Sequence, residues 1–507
     1  MPRLTRTRIE IFVSVPELER DKPVAPAPSS PASKDSSPPR SFRPLILRLH
    51  FYAGILVAPF LVIAAVSGGL YALAPSVEQL VYRDYLHVDS TGPDLPMSEQ
   101  VRAAQQVRPD LAVAAVRPAT EPGQTTQVLF TDPGLGESER LAVFVDPATA
   151  QSKGELVVYG SSGALPMRTW ISQLHRHLHL GEPGRIYSEL AASWLWVIAL
   201  GGVYLWVQRY RTIRARNAEA ARLWTLDRSS RGRNRTLSWH GVVGIWIAAG
   251  LVFLSATGLT WSRYAGENVG ELRSALSWTT PKIDKTLDSA PNTGAAASGG
   301  HDGHGAGHTP TSDQGIFDSN VGELDTVLDV ARRSGVTGAV EATVPADAGT
   351  AFTVTQTRQP WQFSTDSIAV DGVSSQVTDL SRFAQWPLVA KLSSWGIALH
   401  MGVLFGLLNQ LVLAALAVAL LTVIVRGYIL WWRRRPTHEH RWGPPPKRGV
   451  LRGVHPAAAV AVVAGAIAIG WFIPLLGLSL IAFVLVDATI GARARLRSRR
   501  EASGQRL

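Results

Sequence analysis

Cysteine is absent from all 507 residues. The chain therefore has no disulfide, no thiolate zinc site and no iron–sulfur cluster held by Cys. Any metal centre must draw on His, Met, carboxylate or a cofactor. No GxGxxG follows a strand and no P-loop occurs, so there is no evident site for a nicotinamide, a flavin dinucleotide or ATP. HExxH and GxSxG are missing too, which argues against hydrolysis. Carboxylates are scarce in the apolar blocks, with Asp487 alone between 456 and 490, and no buried acid–base pair is visible. That weakens a proton-coupled transporter. No aromatic-basic motif of a nucleic-acid reader accompanies the net charge of +11, so no nucleic-acid partner is expected.

What is present is apolar sequence gathered into blocks of membrane-spanning length, which predicts an integral membrane protein. Residues 1–43 are polar, rich in Pro and Ser, and read as a disordered cytoplasmic tail. No apolar h-region precedes residue 42, so the first block, 44–73, is expected to be a retained helix rather than a cleaved signal. Further spans are predicted over 186–207, 237–261 and 395–432. The region 456–490 is too long for one helix and reads as a tight hairpin turning near 470–474, six helices in all. Arginines crowd 208–236, 433–455 and the tail 491–507, marking these as cytoplasmic and placing both termini inside.

Two polar segments then lie outside. Residues 74–185 are predicted to hold a helix over 98–107 and strands at 112–116, 127–130 and 141–145, a small α+β domain. Residues 262–394 carry a Gly/Ala/Pro-rich insert (291–311), then a helix over 321–333 and strands at 339–344, 351–355 and 367–370.

The blocks repeat. At an offset of 225, His175 falls on His400, Gly181 on Gly406, Gly202 on Gly427 and Leu205-Trp206 on Leu430-Trp431. At an offset of 190, His50 falls on His240, Gly54 on Gly244, Ser67-Gly68 on Thr257-Gly258 and Tyr71 on Trp261. His50 and His240 thus belong at the cytoplasmic ends of the first and third spans, His175 and His400 at the outer ends of the second and fourth. Two such pairs on opposite faces are what two bis-imidazole haems need, since each iron takes one axial ligand from either side of the ring. Read as one helix, His400 to Trp431 would run roughly 46 Å, setting the outer pair at or beyond the interface. Gly54, Gly68, Gly244 and Gly258 would make room for a flat macrocycle, or serve close helix packing.

These residues also carry a resemblance. RLHFYAGILVAPFLVIAAVSGGLY, then LHRHLHLGEPGRIYSELAASWLWVIALGGVYLW, then WHGVVGIWIAAGLVFLSATGLTWS resemble, in that order, the PepSY-associated transmembrane helix family, whose members are often described as iron-regulated membrane proteins. The similarity covers nearly everything from Arg43 to Trp432. It implies two extracytoplasmic PepSY-like domains in a bacterial-type inner membrane. It further implies b-type haem and, by analogy with some relatives, reduction of ferric siderophores. The family's LHR motif falls on Leu174-His175-Arg176 and its LHMG motif on Leu399-His400-Met401-Gly402, which favours His175 over His177 and His179 as a ligand. Two features depart from the pattern: the insert in the second outer segment and the C-terminal hairpin.

The combined expectation is an all-α bundle of four core helices in two repeats plus a hairpin, with two haem b groups and two outer α+β domains. It would reduce an outside ferric chelate or other metal chelate, with lipid around it and a cytoplasmic reductase or quinol as donor. The alternatives are a non-enzymatic PepSY binding module and a metal-uptake subunit. Arg176 and Arg185 could pair with haem propionates. His301, His304 and His308, in GGHDGHGAGH, could bind copper, zinc or iron or be incidental to a soluble linker. His438 and His440 read as solvated, while His87 and His455 carry no assigned role.

Overall fold

The computed structural model describes residues 42–287, 314–433 and 456–504. His301, His304, His308, His438, His440 and His455 lie outside the described residues. Five helices are long and apolar enough to cross a membrane: α2 (Ala58–Val81), α6 (Glu182–Arg216), α7 (Gly232–Leu259), α11 (Gly406–Trp432) and the first part of α13 (Pro474–Gly504). The chain is a multi-pass membrane protein.

Each predicted span is present, with three changes. Ahead of Ala58–Val81 the chain forms α1 (Arg43–Leu56), so the block 44–73 is two helices interrupted at Val57. Pro59, in the first turn of α2, has no N–H to continue the α1 ladder. The block 395–432 is likewise divided. His400 ends a separate helix, α10 (Leu388–His400), and 401–405 form a turn in which Gly402 (φ +76) leads into α11 at Gly406 (φ +55). A Cβ on Gly402 would sit 3.0 Å from the Ala72 carbonyl, so only glycine fits both the φ and the approach. The single 46 Å helix is thereby excluded. The hairpin turns at Ile473, between α12 (Pro456–Phe472) and α13, but at 17 residues α12 falls short of a full span.

Within the bundle α6 packs on α7, α11 lies against both α2 and α7, and α1 leans on α6. The core is apolar and small-residue rich, including Ala53, Ala58, Leu61, Ala65, Ala191, Trp194, Ile247, Leu251 and Leu420. With lipid as apolar as these side chains, close van der Waals approach between helices holds such a core together.

The two polar segments do not form separate sheets. The first supplies α3 (Arg83–Leu86), α4 (Met97–Val107), β1 (Ala112–Arg117), β2 (Thr126–Thr131), β3 (Glu139–Val145), β4 (Ser152–Tyr159) and α5 (Pro166–His177). The second supplies α8 (Tyr264–Ala275), α9 (Gln314–Arg333), β5 (Val340–Thr343), β6 (Phe352–Gln356), β7 (Ser367–Val370) and β8 (Val377–Ser381). All eight strands join one antiparallel sheet, ordered β4-β3-β2-β1-β5-β6-β7-β8, the halves meeting where Ala115 pairs with Thr343 and Val116 with Ala342. Helices α4 and α9 cover one face through Val101, Ala104, Leu324 and Val327 on Val116, Val128, Phe130 and Val354. Asp325 of α9 accepts the Met97 N–H at the start of α4 (3.0 Å), a second link between the segments.

An ion cluster bridges the seam. Glu341 accepts from Arg117 at 2.8 and 2.6 Å and from Arg140 at 2.9 Å. Burial pushes the Glu341 carboxyl up, but the two guanidiniums outweigh it and hold it below the ordinary 4.5. A depressed folded value contributes stability that is fully present above the unfolded value and lost as pH falls through the folded one. Glu341→Gln is thus expected to cost about 2–3 kcal/mol near neutrality. The gap in melting temperature between wild type and variant should narrow as pH drops below about 4.5; a gap that stays constant to pH 3 would contradict this role.

Candidate functional site

Four histidines gather into two pairs, one toward each end of the bundle. His50 on α1 and His240 on α7 bring their ring centroids to 6.3 Å, with planes at 80°. His175, near the end of α5, and His400, the last residue of α10, stand at 6.5 Å and 50°. Along α7, His240 and the Thr257-Gly258 step that touches His400 are 17 residues apart, roughly 26 Å of helix.

The protonation pattern of the four rings follows from their hydrogen bonds. His50 Nδ1 lies 3.0 Å from the Ile198 carbonyl of α6, and His240 Nδ1 3.0 Å from the Val423 carbonyl of α11. A carbonyl only accepts, so Nδ1 carries the proton in both. His175 Nδ1 is 3.0 Å from Ser67 Oγ and His400 Nδ1 is 2.6 Å from Thr257 Oγ1. Each hydroxyl already donates to its own helix, Ser67 to Ile63 and Thr257 to Phe253, both at 2.8 Å, and therefore accepts from the imidazole. All four rings are left with Nε2 unprotonated, the form a metal takes, and with the orienting partner that ligating imidazoles characteristically have.

Glycine faces every ring. A Cβ on Gly68 would lie 3.0 Å from His175 Cε1, and one on Gly202 3.0 Å from His50 Cε1. On Gly427 it would stand 3.5 Å from His240, and on Gly258 3.9 Å from His400. Gly54 and Gly244, one helical turn after His50 and His240, have open space where a side chain would be.

The turn after α5 is equally constrained. Leu178 and His179 are both left-handed (φ 55 and 54), and a Cβ on Gly184 would fall 1.7 Å from the His177 carbonyl oxygen. LHLGEPGR therefore lets α6 start directly against the end of α5, and so sets the height of His175.

The remaining sequence candidates are not drawn into the pairs. His177 and His179 stand 6.0 Å apart, and His179 lies against Trp170 at 4.9 Å. Burial, with Arg176 beside it, holds His177 below the ordinary 6.5. Arg176 donates to the Tyr159 hydroxyl at 2.7 Å, and Arg185 is 3.9 Å from Glu182, which also pairs with Arg263. Both guanidiniums are thus engaged beside the outer pair rather than with it.

Three kinds of participant carried no role in the sequence reading. Ser67, Thr257, Gly202 and Gly427 all appeared in the repeat offsets, and the carbonyl partners Ile198 and Val423 are again 225 apart. The offsets were the signal; what was missing was which helix faces which ring. Buried and half-buried carboxylates with partners also exist in the helices. Glu78 pairs with Arg168 at 3.1 Å, Arg48 pairs with Asp487, and Glu189, 2 % exposed, accepts the Tyr264 and Ala265 N–H groups at the start of α8.

Each pair could supply two imidazole ligands to a metal. Two imidazoles fill only part of a tetrahedral or octahedral shell. Among the described residues no group of three or more His, Asp or Glu side chains converges. The chain matches the family described as PepSY-associated TM region over residues 47–434. No curated protein matches it.

Proposed function

Since the chain belongs to the PepSY-associated TM region family, we propose that it is a b-type, two-haem transmembrane electron-transfer protein that reduces an acceptor on the far side of the cytoplasmic membrane, of the ferric-chelate class. The observation that carries this reading is the pair of histidine pairs, each ring with Nδ1 donated, Nε2 free and a glycine beneath it.

On this reading His50 and His240 hold the inner haem, and His175 and His400 the outer one. When bound, the haems would supply reversible one-electron chemistry near both faces of the bilayer. The Ile198 and Val423 carbonyls and the Ser67 and Thr257 hydroxyls aim the imidazoles and raise their basicity. We read the core as two repeats related by the 190 and 225 offsets, with both termini inside and the sheet outside as two fused PepSY-like halves. Arginine crowding after α6 supports that orientation. A cytoplasmic reductase or membrane quinol would donate the electrons. Reduction suits iron release because Fe(II) binds hard oxygen chelators more weakly than Fe(III).

The test is vectorial. Proteoliposomes carrying the haem-loaded chain and entrapped dithionite are expected to reduce a ferric hydroxamate outside, one electron per iron, read as a coloured ferrous complex. The rate should fall at least tenfold in His240→Ala. A rate equal to that of protein-free vesicles would refute the reading.

A further inference from the structure

At the arginine-bearing end of the bundle a cavity of about 370 Å³ opens between the first turn of α7 and the last turns of α11. Among the described residues its lining is Gly232, Arg235, Thr236, Trp239, Arg426 and Arg433: three guanidiniums and no carboxylate. The Arg426 guanidinium lies 4.8 Å over the Trp239 ring, and its Nε is buried with no hydrogen-bond partner among the described residues. Arg433 donates to Thr236 Oγ1 at 3.2 Å, while the Thr236 hydroxyl donates back to the Gly232 carbonyl at 3.3 Å. Helix α7 opens with no acidic residue in its first turn and no side-chain cap, so its first N–H groups add to the positive field.

Three guanidiniums lining one concavity repel one another. That repulsion falls if an oxyanion occupies the space. A tetrahedral phosphate group offers several acceptor oxygens to separate guanidiniums, whereas a lone carboxylate serves one fork. A helix start is a further phosphate-binding element. Depth along the helix also matters: Arg433 directly follows Trp431-Trp432, the kind of aromatic pair that sits at headgroup level. We infer that this cavity binds a phosphate-bearing anion, from the headgroup of an anionic phospholipid or as free phosphate. Topology alone would account for arginines here. It does not account for three of them lining one cavity together with Thr236 and Trp239.

The test uses the full chain in detergent, titrated separately with phosphatidylglycerol and with inorganic phosphate and read as melting temperature. One of the two should raise it with saturation, and affinity should drop about tenfold in Arg235→Gln and in Arg426→Gln. Arg235 is exposed, so its variant keeps the test valid if Arg426→Gln fails to fold. A response to phosphatidylglycerol alone assigns the site to lipid, and a response to inorganic phosphate assigns it to the free ion. No response to either probe, or a response in both variants equal to that of wild type, overturns the inference. So does a loss of haem absorbance in these variants without any phosphate effect, which would give the arginines to a cofactor carboxylate.

Discussion

Arg168→Ala is expected to destabilise the protein by about 3–5 kcal/mol, among the largest effects of any single substitution outside the histidine pairs. Arg168 on α5 and Glu78 on α2 form a pair at 3.1 Å in which each side chain is only 6 % exposed. Glu78 also accepts the Leu165 N–H at 3.2 Å, and Arg168 donates to the Ser162 carbonyl at 3.0 Å. The pair therefore clamps the start of α5 to the end of α2, where the bundle meets the sheet. Deleting the arginine leaves a carboxylate buried without its cation, and that uncompensated charge dominates the loss. Removing both charges, as in Glu78→Leu with Arg168→Met, should cost much less than Arg168→Ala alone. Thermal unfolding in detergent separates the cases. Equal losses in the single and double variants would show that packing, rather than charge, sets the stability there.

That clamp lies between elements distant in sequence, and the same property divides what could be read in the chain from what could not. The spans were legible because apolar length is a local signal, and the histidine pairs because two constant offsets overlay them. Helix 97–107 and six of the eight strands followed from capping and alternation. The two strands that escaped, β4 (SKGELVVY) and β8 (VTDLS), are the outer edges of the sheet, where Lys153, Glu155 and Asp379 are at home on a solvated rim. The breaks at Val57 and 401–405 were hidden inside continuous apolar runs, since a proline or a glycine ends a helix without changing hydropathy. Fusion of both polar segments into one sheet rests on β1 pairing with β5 across more than 200 residues, which no local pattern encodes. At the site, the hydroxyls of Ser67 and Thr257 were in view as repeat positions. Their role emerged only once α2 was seen to face α5 and α7 to face α10.

The second large effect follows from the proposed haem ligation. His175 is one of two imidazoles in the outer pair, and on the proposed reading its loss would remove one of that site's two ligands, while Gly68 and Ser67 offer no replacement. His177, two residues on, faces His179 and cannot substitute without undoing the left-handed turn at Leu178 and His179. The inner pair, held by the Ile198 and Val423 carbonyls on α6 and α11, is independent of that change. His175→Ala should therefore remove one haem and spare the other, leaving a folded protein with half the absorbance.

The most direct measurement is the reduced-minus-oxidised absorbance spectrum of the purified chain, with haem per polypeptide counted as the pyridine complex. Wild type should give a reducible b-type signal at about two haems per chain, as two bis-imidazole sites require, with His175→Ala at half that signal. A colourless preparation, or a b-type signal unchanged by His175→Ala, would contradict the account.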